Sequence, residues 1–274
     1  MSGPIDRIVV SLDATSEYRT AIDTAARLSA RAKAPLHGVF VEDEDLLNLA
    51  SLPFARQVTP SAGAEPFTTE SIELHLRAQA ERARQELFAA AQRHRVKCTF
   101  EIVRGASELA VSGASERDLV VAGGLTRPIA GHFRVESRWW SSIGAAAGTF
   151  LLARHAWSAA GGVVMLLRDR GPATVRLLDV AAEMAETRGG ILIVICPPAV
   201  AGSEGFEKWI TDQVSEHSVR LQIEVAPAEP AALHRRIGEL NCQLLAIEAG
   251  LAEGRPDRLR EMVERFACDI LVVR

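Results

Sequence analysis

The sequence predicts an α/β protein with two tandem domains, each built on a five-stranded, mostly parallel sheet flanked by helices. Short apolar runs rich in β-branched residues alternate with longer helical stretches, the pattern of parallel strands joined by helices. The pattern runs through the chain twice, and each round opens with an apolar run followed by an aspartate, Asp13 or Asp169. The length of 274 residues suits two domains of ordinary size.

The first domain is predicted to cover residues 1–156. A helix is expected from 15 to 33, because its apolar side chains share one face and Pro35 stops it. A longer helix, from about 68 to 94, carries small and aliphatic residues at spacings of three and four. The predicted strands, in chain order, are 7–12, 36–41, 97–103, 118–122 and 149–153.

The second domain is predicted to cover residues 157–274. Pro172 opens its first helix, and Gly189 and Gly190 end it. Further helices are expected at 204–217, 231–240 and 258–266. The predicted strands are 162–167, 191–195, 220–225, 244–247 and 269–273. Most of the greater length of the first domain is one insertion, residues 42–67, which the second domain lacks.

Composition excludes several classes of protein. The 31 Lys and Arg residues against 35 Asp and Glu residues give a net charge of −4, so there is no basic footprint for nucleic acid. We find neither a signal-peptide core nor an uncharged run of about 20 residues, so we expect no membrane segment and a cytoplasmic location. The four cysteines contain no CxxC pair and are expected to be reduced, small apolar residues.

Asp13 and Asp169 are the first candidates for binding residues. Each follows the first strand of its domain, and in open parallel sheets ligands bind at the carboxyl ends of the strands where strand order reverses. A carboxylate there can accept hydrogen bonds from an adenine or a ribose. The alternative is structural, since an aspartate before a helix also caps the helix N-terminus.

The order of these elements, the aspartate after the first strand, and the chain endings 150–154 and 267–274 resemble the universal stress protein family, over essentially the whole chain in two copies. The resemblance implies flavodoxin-like or Rossmann-like domains whose fifth strands meet edge to edge, here as a pseudo-dimer within one chain, and it allows a homodimer. It also implies a phosphate-binding loop after the fourth strand, with the pattern G-x2-G-x9-G-[S/T] in ATP-binding members.

The first domain keeps part of that loop. Its four pattern positions hold Gly123, Thr126, Glu136 and Ser137, so two of them survive. A carboxylate at Glu136 repels a polyphosphate, whereas nearby arginines could compensate; a solvated loop of mixed charge is the alternative. By the resemblance, the base or ribose would meet Asp13 and the backbone of the second strand, and phosphates would meet the loop. The candidate nucleotide site is therefore Asp13, Val41, Gly123, Thr126, Arg127 and Ser137.

The second domain departs further from the pattern. Glu248 takes the place of the first glycine, and Pro256 and Asp257 stand where Gly and Ser belong. ATP or AMP is therefore expected to fit the first domain and not the second.

The insertion begins with four acidic residues, which favour the start of a helix, followed by Leu46, Leu49 and Leu52. Residues 44–54 could cap a pocket, present an apolar face to a protein partner, or pack on their own domain.

Sequence motifs of enzymes are missing: there is no GxGxxG, GxxxxGK[ST], HExxH or GxSxG. The seven histidines form no metal-ligand spacing with the cysteines. The expectation is a non-enzymatic stress-response protein, binding or regulatory, with at most one nucleotide or small-ligand site. The alternatives are an ATP-binding member with slow hydrolysis and an interaction scaffold with vestigial pockets.

Overall fold

The computed structural model describes residues 5–13, 18–52, 56–59, 63–66, 68–105, 113–123, 126–129, 133–136, 143, 148–156, 161–227, 229–251, 265–266 and 268–274. It confirms the α/β prediction. The chain divides into two compact units. The first comprises residues 4–146, and the second comprises residues 147–274 together with residues 1–3. Strand 149–152, which the sequence analysis counts with the first domain, therefore lies in the second unit.

The elements of the first unit follow the predicted order. Its helices are α1 (Tyr18–Ala32), α2 (Glu44–Ala50) and α3 (Thr69–His94). Its strands are β1 (Arg7–Leu12), β2 (Leu36–Asp43), β3 (Arg56–Thr59), β4 (Gly63–Pro66), β5 (Cys98–Gly105), β6 (Asp118–Ala122), β7 (Thr126–Ile129) and β8 (Phe133–Glu136).

The second unit holds the remaining elements. Its strands are β9 (Thr149–Leu152), β10 (Gly162–Leu166), β11 (Ile191–Cys196), β12 (Arg220–Val225), β13 (Cys242–Glu248) and β14 (Asp269–Val273). Its helices are α4 (Pro172–Thr187), α5 (Pro198–Ala201), α6 (Phe206–Gln213) and α7 (Pro230–Glu239), with a 3-10 turn at Ala249–Leu251. No helix of the described residues is long and apolar enough to cross a membrane.

Both units share one strand order. In the first, β6, β1, β2 and β5 lie side by side and parallel. In the second, the corresponding strands β13, β10, β11 and β12 lie side by side and parallel. β1 therefore lies between β2 and β6, and β10 lies between β11 and β13. Strand order reverses beside β1 and beside β10.

The two predicted fifth strands pair with each other. β9 runs antiparallel to β14, with Leu151 opposite Leu271 and Phe150 opposite Val272. This confirms the edge-to-edge pairing implied by the family resemblance. The pairing hydrogen-bonds an edge of each strand that would otherwise be exposed.

Two ion pairs lie at the amino ends of the strands. In the first unit the Nη2 atom of Arg7 donates to Asp118 over 2.6 Å. In the second unit the Nη2 atom of Arg188 donates to Asp269, also over 2.6 Å. The first arginine is 39% exposed and the second 2%, so the second pair is the one removed from water.

The insertion forms a helix and a hairpin. β2 continues through Asp43, so the predicted helix begins at Glu44, the third residue of the acidic run, and β3 and β4 form an antiparallel hairpin after it. Ala50 on α2 packs against Ile72 and Leu76 of α3, with Leu47 beside them. The insertion thus packs on its own unit, one of the three predicted alternatives.

Helix prediction failed at one place in the second unit. The helix expected at 204–217 is the shorter α6, and α5, which lies before that range, was not predicted. Pro198 opens α5, and Gly205, in the left-handed region with φ 67°, directly precedes α6. The predicted helix at 258–266 lies mostly outside the described residues.

Candidate functional site

The strand order of the first unit reverses between β1 and β6, and the carboxyl ends of these two strands define a candidate crevice. The register pairs Ser11 with Ala122, so the residues that follow, including Asp13 and Gly123, leave the sheet beside each other. Gly123 is buried and Asp13 is half-buried. The sequence analysis predicted both as site residues, and the fold brings them to one edge.

Val41 reaches the same edge from the other side of β1. Leu12 pairs with Phe40, which places Val41 level with Asp13. Val41 as a whole residue is 1% exposed, and the backbone contact to an adenine stays a prediction.

The segment after Gly123 is a hairpin rather than the expected open loop. β7 and β8 run antiparallel, with Thr126 opposite Glu136 and Arg127 opposite Val135. The second and third positions of the phosphate-loop pattern are therefore cross-strand partners in backbone register. Ser137, the predicted hydroxyl donor, lies outside the described residues.

Carboxylates dominate the charge around Val41. Glu42 follows it, and Asp43, 7% exposed, ends the strand. Arg104 opposes Glu42 in the register and donates to its Oε2 atom over 3.1 Å, while also lying 3.6 Å from Glu73. The Arg104 guanidinium is thus held by the carboxylates of Glu42 and Glu73. The surroundings of Val41 are therefore better suited to a neutral base or ribose than to phosphates.

Tyr18, which the sequence analysis missed, belongs to this crevice. It opens α1 and is 5% exposed, and burial raises the pKa of its phenol, with the carboxylates of Glu86 and Asp13 adding to the increase. Tyr18 stands five positions after Asp13, as Thr174 does after Asp169. That equal spacing is the sequence signal that could have identified it.

The corresponding crevice of the second unit is filled by its own side chains. Glu248, at the end of β13, is 8% exposed, and its Oε1 atom accepts a hydrogen bond from the Thr174 hydroxyl. The same hydroxyl lies 3.1 Å from Oδ1 of Asp169. Thr174 thereby connects the two strand ends across the crevice.

Asp169 also has a structural role, as a turn residue before α4, whereas the N-cap of that helix is Gly171. The Oδ1 atom of Asp169 accepts from the backbone amide of Gly171 over 2.7 Å, at the N-terminus of α4. The carboxylate therefore satisfies an amide at the start of the helix, where negative charge is favourable.

The loop after β10 is held down as well. The guanidinium of Arg170 lies 5.5 Å from the ring centre of Phe206 and 5.4 Å from that of Trp209. Its Nη2 atom donates to the Ser203 hydroxyl over 2.6 Å. These contacts fix the loop beside Asp169 against α6, so ligand entry there would require several contacts to break.

Comparison with solved structures identifies the fold. A universal stress protein from Archaeoglobus fulgidus DSM 4304 matches with a TM-score of 0.67 at 12% identity, over 98% of this chain and 98% of that one. A functionally unknown protein from Pseudomonas aeruginosa PAO1 matches with a TM-score of 0.57 at 15% identity, over 98% and 92%. The cytoplasmic domain of a prokaryotic cation chloride cotransporter matches with a TM-score of 0.50 at 12% identity, over 97% and 94%.

No protein-family model and no curated protein matches the sequence. The chain therefore has the fold of a universal stress protein structure along nearly its whole length, at identities where the likeness establishes fold alone.

Proposed function

We propose that this protein is a non-enzymatic binding or regulatory protein of the universal stress type, with one small-ligand site in the crevice between β1 and β6. The proposed ligand class is an adenine nucleotide, ATP or AMP. The base or ribose would lie near Asp13 and the Val41 backbone, and the phosphates would lie toward Gly123 and the hairpin that follows.

One contrast between the two crevices carries the proposal. At the end of the fourth strand the first unit has Gly123, which places no side chain in the crevice, whereas the second has Glu248. Glu248 bonds to Thr174 and brings a carboxylate to the place where phosphates would lie. In the first crevice a ligand can therefore approach the backbone at Gly123 closely, whereas the second crevice is closed by its own residues.

The charges at the first crevice favour a metal-bound nucleotide over a free one. Asp13, Glu42 and Asp43 are carboxylates at this edge, and Arg104 is already paired with Glu42. A free triphosphate would be repelled. Partial neutralisation by Mg²⁺ lowers that repulsion, so ATP is expected to bind more tightly with Mg²⁺ than without it.

A thermal-shift titration with ATP and AMP, with and without Mg²⁺, tests the proposal. Ligand that binds only the folded state raises the midpoint of unfolding. We expect the increase in the wild-type protein and in Asp169→Ala, and its loss in Asp13→Ala. Asp169→Ala is the matched control, since it removes the same group from the other unit. No shift for the wild type at millimolar nucleotide would overturn the proposal.

Slow ATP hydrolysis is the alternative within the same site. The proposal expects no phosphate release above that of the Asp13→Ala variant when the protein is incubated with Mg²⁺ and ATP. Phosphate release that depends on Asp13 would show that the protein is a weak ATPase rather than a binding protein without enzymatic activity.

A scaffold role is the second candidate, and α2 favours it. Its inward residues pack on α3, but Leu49 is 39% exposed and Leu52, just beyond the helix, is 40% exposed. The double variant Leu49→Glu and Leu52→Glu should keep nucleotide-induced stabilisation if the ligand site is the function. Loss of a captured partner protein in this variant, together with no nucleotide effect in the wild type, would favour the scaffold.

A further inference from the structure

The starts of β13 and β14 bring two cysteines together, at the edge of the sheet opposite the Asp169 crevice. Cys242 is the first residue of β13, and Cys268 directly precedes β14. These strands are parallel neighbours, with Leu244 opposite Asp269. The two cysteines therefore lie one strand spacing apart and are offset by about one residue along the strands.

A bulge in β13 changes the side on which Cys242 lies. Against β10, Cys242 pairs with Gly162 and Leu244 pairs with Val163, so Gln243 is an extra residue. In regular alternation Cys242 would share the face of Leu244 and Asp269, opposite to that of Cys268. The extra residue breaks the alternation, and the Cys242 and Cys268 thiols lie close enough to shift each other's pKa.

Gly161 provides the space that the bulge needs. A Cβ atom at that position would lie 2.2 Å from the Cγ and Cδ atoms of Gln243. A larger residue at position 161 would therefore require the Gln243 side chain to shift.

The spacing suits a disulfide. Neighbouring strands lie about 4.8 Å apart and one residue advances about 3.3 Å, so the Cα atoms of Cys242 and Cys268 are about 5–6 Å apart. Disulfides span Cα separations of about 4.4–6.8 Å. In the structure neither cysteine forms a disulfide.

The surroundings distinguish the two sulfurs. The neighbouring Cys242 thiol lowers the pKa of the Cys268 thiol and Arg154 adds to the decrease, whereas burial and the carboxylate of Asp269 oppose it. The neighbouring Cys268 thiol, with burial, raises the pKa of the Cys242 thiol. Cys268 therefore has the greater thiolate character and is the better nucleophile.

We infer that Cys242 and Cys268 are a redox-active dithiol that a hydroperoxide converts to a reversible disulfide. The Cys268 sulfur attacks one peroxide oxygen, the O–O bond breaks, and a sulfenic acid forms. The other oxygen leaves as an alcohol, or as water from hydrogen peroxide, with the proton of the Cys268 thiol. The Cys242 sulfur then attacks the Cys268 sulfur, the S–O bond breaks, and the hydroxyl leaves as water with the Cys242 proton.

The disulfide would join β13 to β14, the strand that pairs with β9. Oxidation would thereby add a covalent link within the part of the sheet that holds the two fifth strands together.

Hydrogen peroxide treatment of the full-length protein tests the inference. After a denaturing quench with a thiol alkylating agent, the oxidised protein should carry two fewer alkyl groups than the untreated protein. A non-reducing peptide map should show the peptides of Cys242 and Cys268 linked, and dithiothreitol should restore all four thiols.

Three variants make the assignment specific. Cys98→Ser and Cys196→Ser should keep the link, whereas Cys242→Ala should lose it and accumulate sulfenic acid at Cys268. The wild-type peptide map does not depend on any variant folding. The inference would be overturned if all four thiols were still alkylated after peroxide treatment. It would also be overturned if oxidation were confined to Cys98, or if Cys268 became a sulfinic acid without a link to Cys242.

Discussion

Thr174 donates a hydrogen bond to the buried carboxylate of Glu248, joining the first helix of the second unit to the end of β13. The same hydroxyl lies 3.1 Å from Oδ1 of Asp169. Gly123 stands at the place of Glu248 in the first unit, so no such link can form there. The two crevices differ at this position, and they differ also at Tyr18, which stands where the second unit has Thr174.

Replacement of Thr174 by Val should destabilise the second unit. The variant keeps the shape of the side chain but leaves the Glu248 carboxylate without its hydroxyl donor, a loss of about 1–3 kcal/mol. Urea unfolding followed by circular dichroism measures it. Thr211→Val is the control, because that exposed hydroxyl donates only to the carbonyl of Glu207 in its own helix. An equal effect of the two variants would show that the link contributes nothing of its own.

The Arg188–Asp269 pair should be more costly to break than the Arg7–Asp118 pair. Asp269 is 1% exposed and also accepts from the backbone amides of Arg154 and His155, over 2.8 and 3.1 Å. Asp269→Ala leaves a buried guanidinium and these amides without an acceptor, at a cost of about 3–5 kcal/mol.

Arg7→Met is the comparison for this prediction, because Arg7 is 39% exposed and water can take part of its role. We expect about 1–2 kcal/mol for it in the same urea experiment. A larger loss for Arg7→Met than for Asp269→Ala would contradict the burial argument.

Acid should weaken the first unit through Asp118. Burial alone would raise the pKa of its carboxyl group, but hydrogen bonds from Arg7 and from the Ser115 amide lower it below its ordinary value of 3.8. A group whose pKa is lower in the folded state stabilises the fold above its unfolded pKa, and that contribution disappears as the pH falls through the folded pKa.

The unfolding free energy should therefore fall as the pH drops below about 4, and Arg7→Gln should make this fall shallower. Urea midpoints measured over a series of pH values give the slope. An unchanged slope in Arg7→Gln would show that this pair does not set the acid response.

The packing of α2 on α3 can be tested with two leucines of α3. Leu76 is 2% exposed beneath α2, whereas Leu74 is 59% exposed. Leu76→Ala should cost about 2–4 kcal/mol and Leu74→Ala close to nothing in thermal or urea unfolding. Similar losses for both would mean that α2 does not cover Leu76 in solution.

The sequence predicted the strands well because each carries a run of apolar side chains that the core must bury. The bounds of β6 (Asp118–Ala122) and β12 (Arg220–Val225) agree with the prediction residue for residue. The hairpin of β7 and β8 was not predicted, because each strand has only four residues and β7 contains a proline. Likewise, α5 was not predicted, because four residues are too few to show a helical period.

The candidate site was predicted in part. Asp13, Val41 and Gly123 could be placed because the carboxyl ends of parallel strands meet at one edge. Tyr18 and Thr174 were missed, because only their equal spacing from Asp13 and Asp169 marks them in the sequence. The bulge at Gln243 was equally hidden, because register depends on the partner strand and not on the local sequence.

The stoichiometry of ATP binding, measured by equilibrium dialysis with Mg²⁺, tests the central claim most directly. Gly123→Glu copies the second crevice into the first, and Gly250→Glu adds the same group at a position where a Cβ meets nothing within 4 Å. We predict one bound ATP per chain for the wild type and for Gly250→Glu, and none for Gly123→Glu. No binding to the wild type, or binding to Gly123→Glu equal to that of the wild type, would contradict a nucleotide site between β1 and β6.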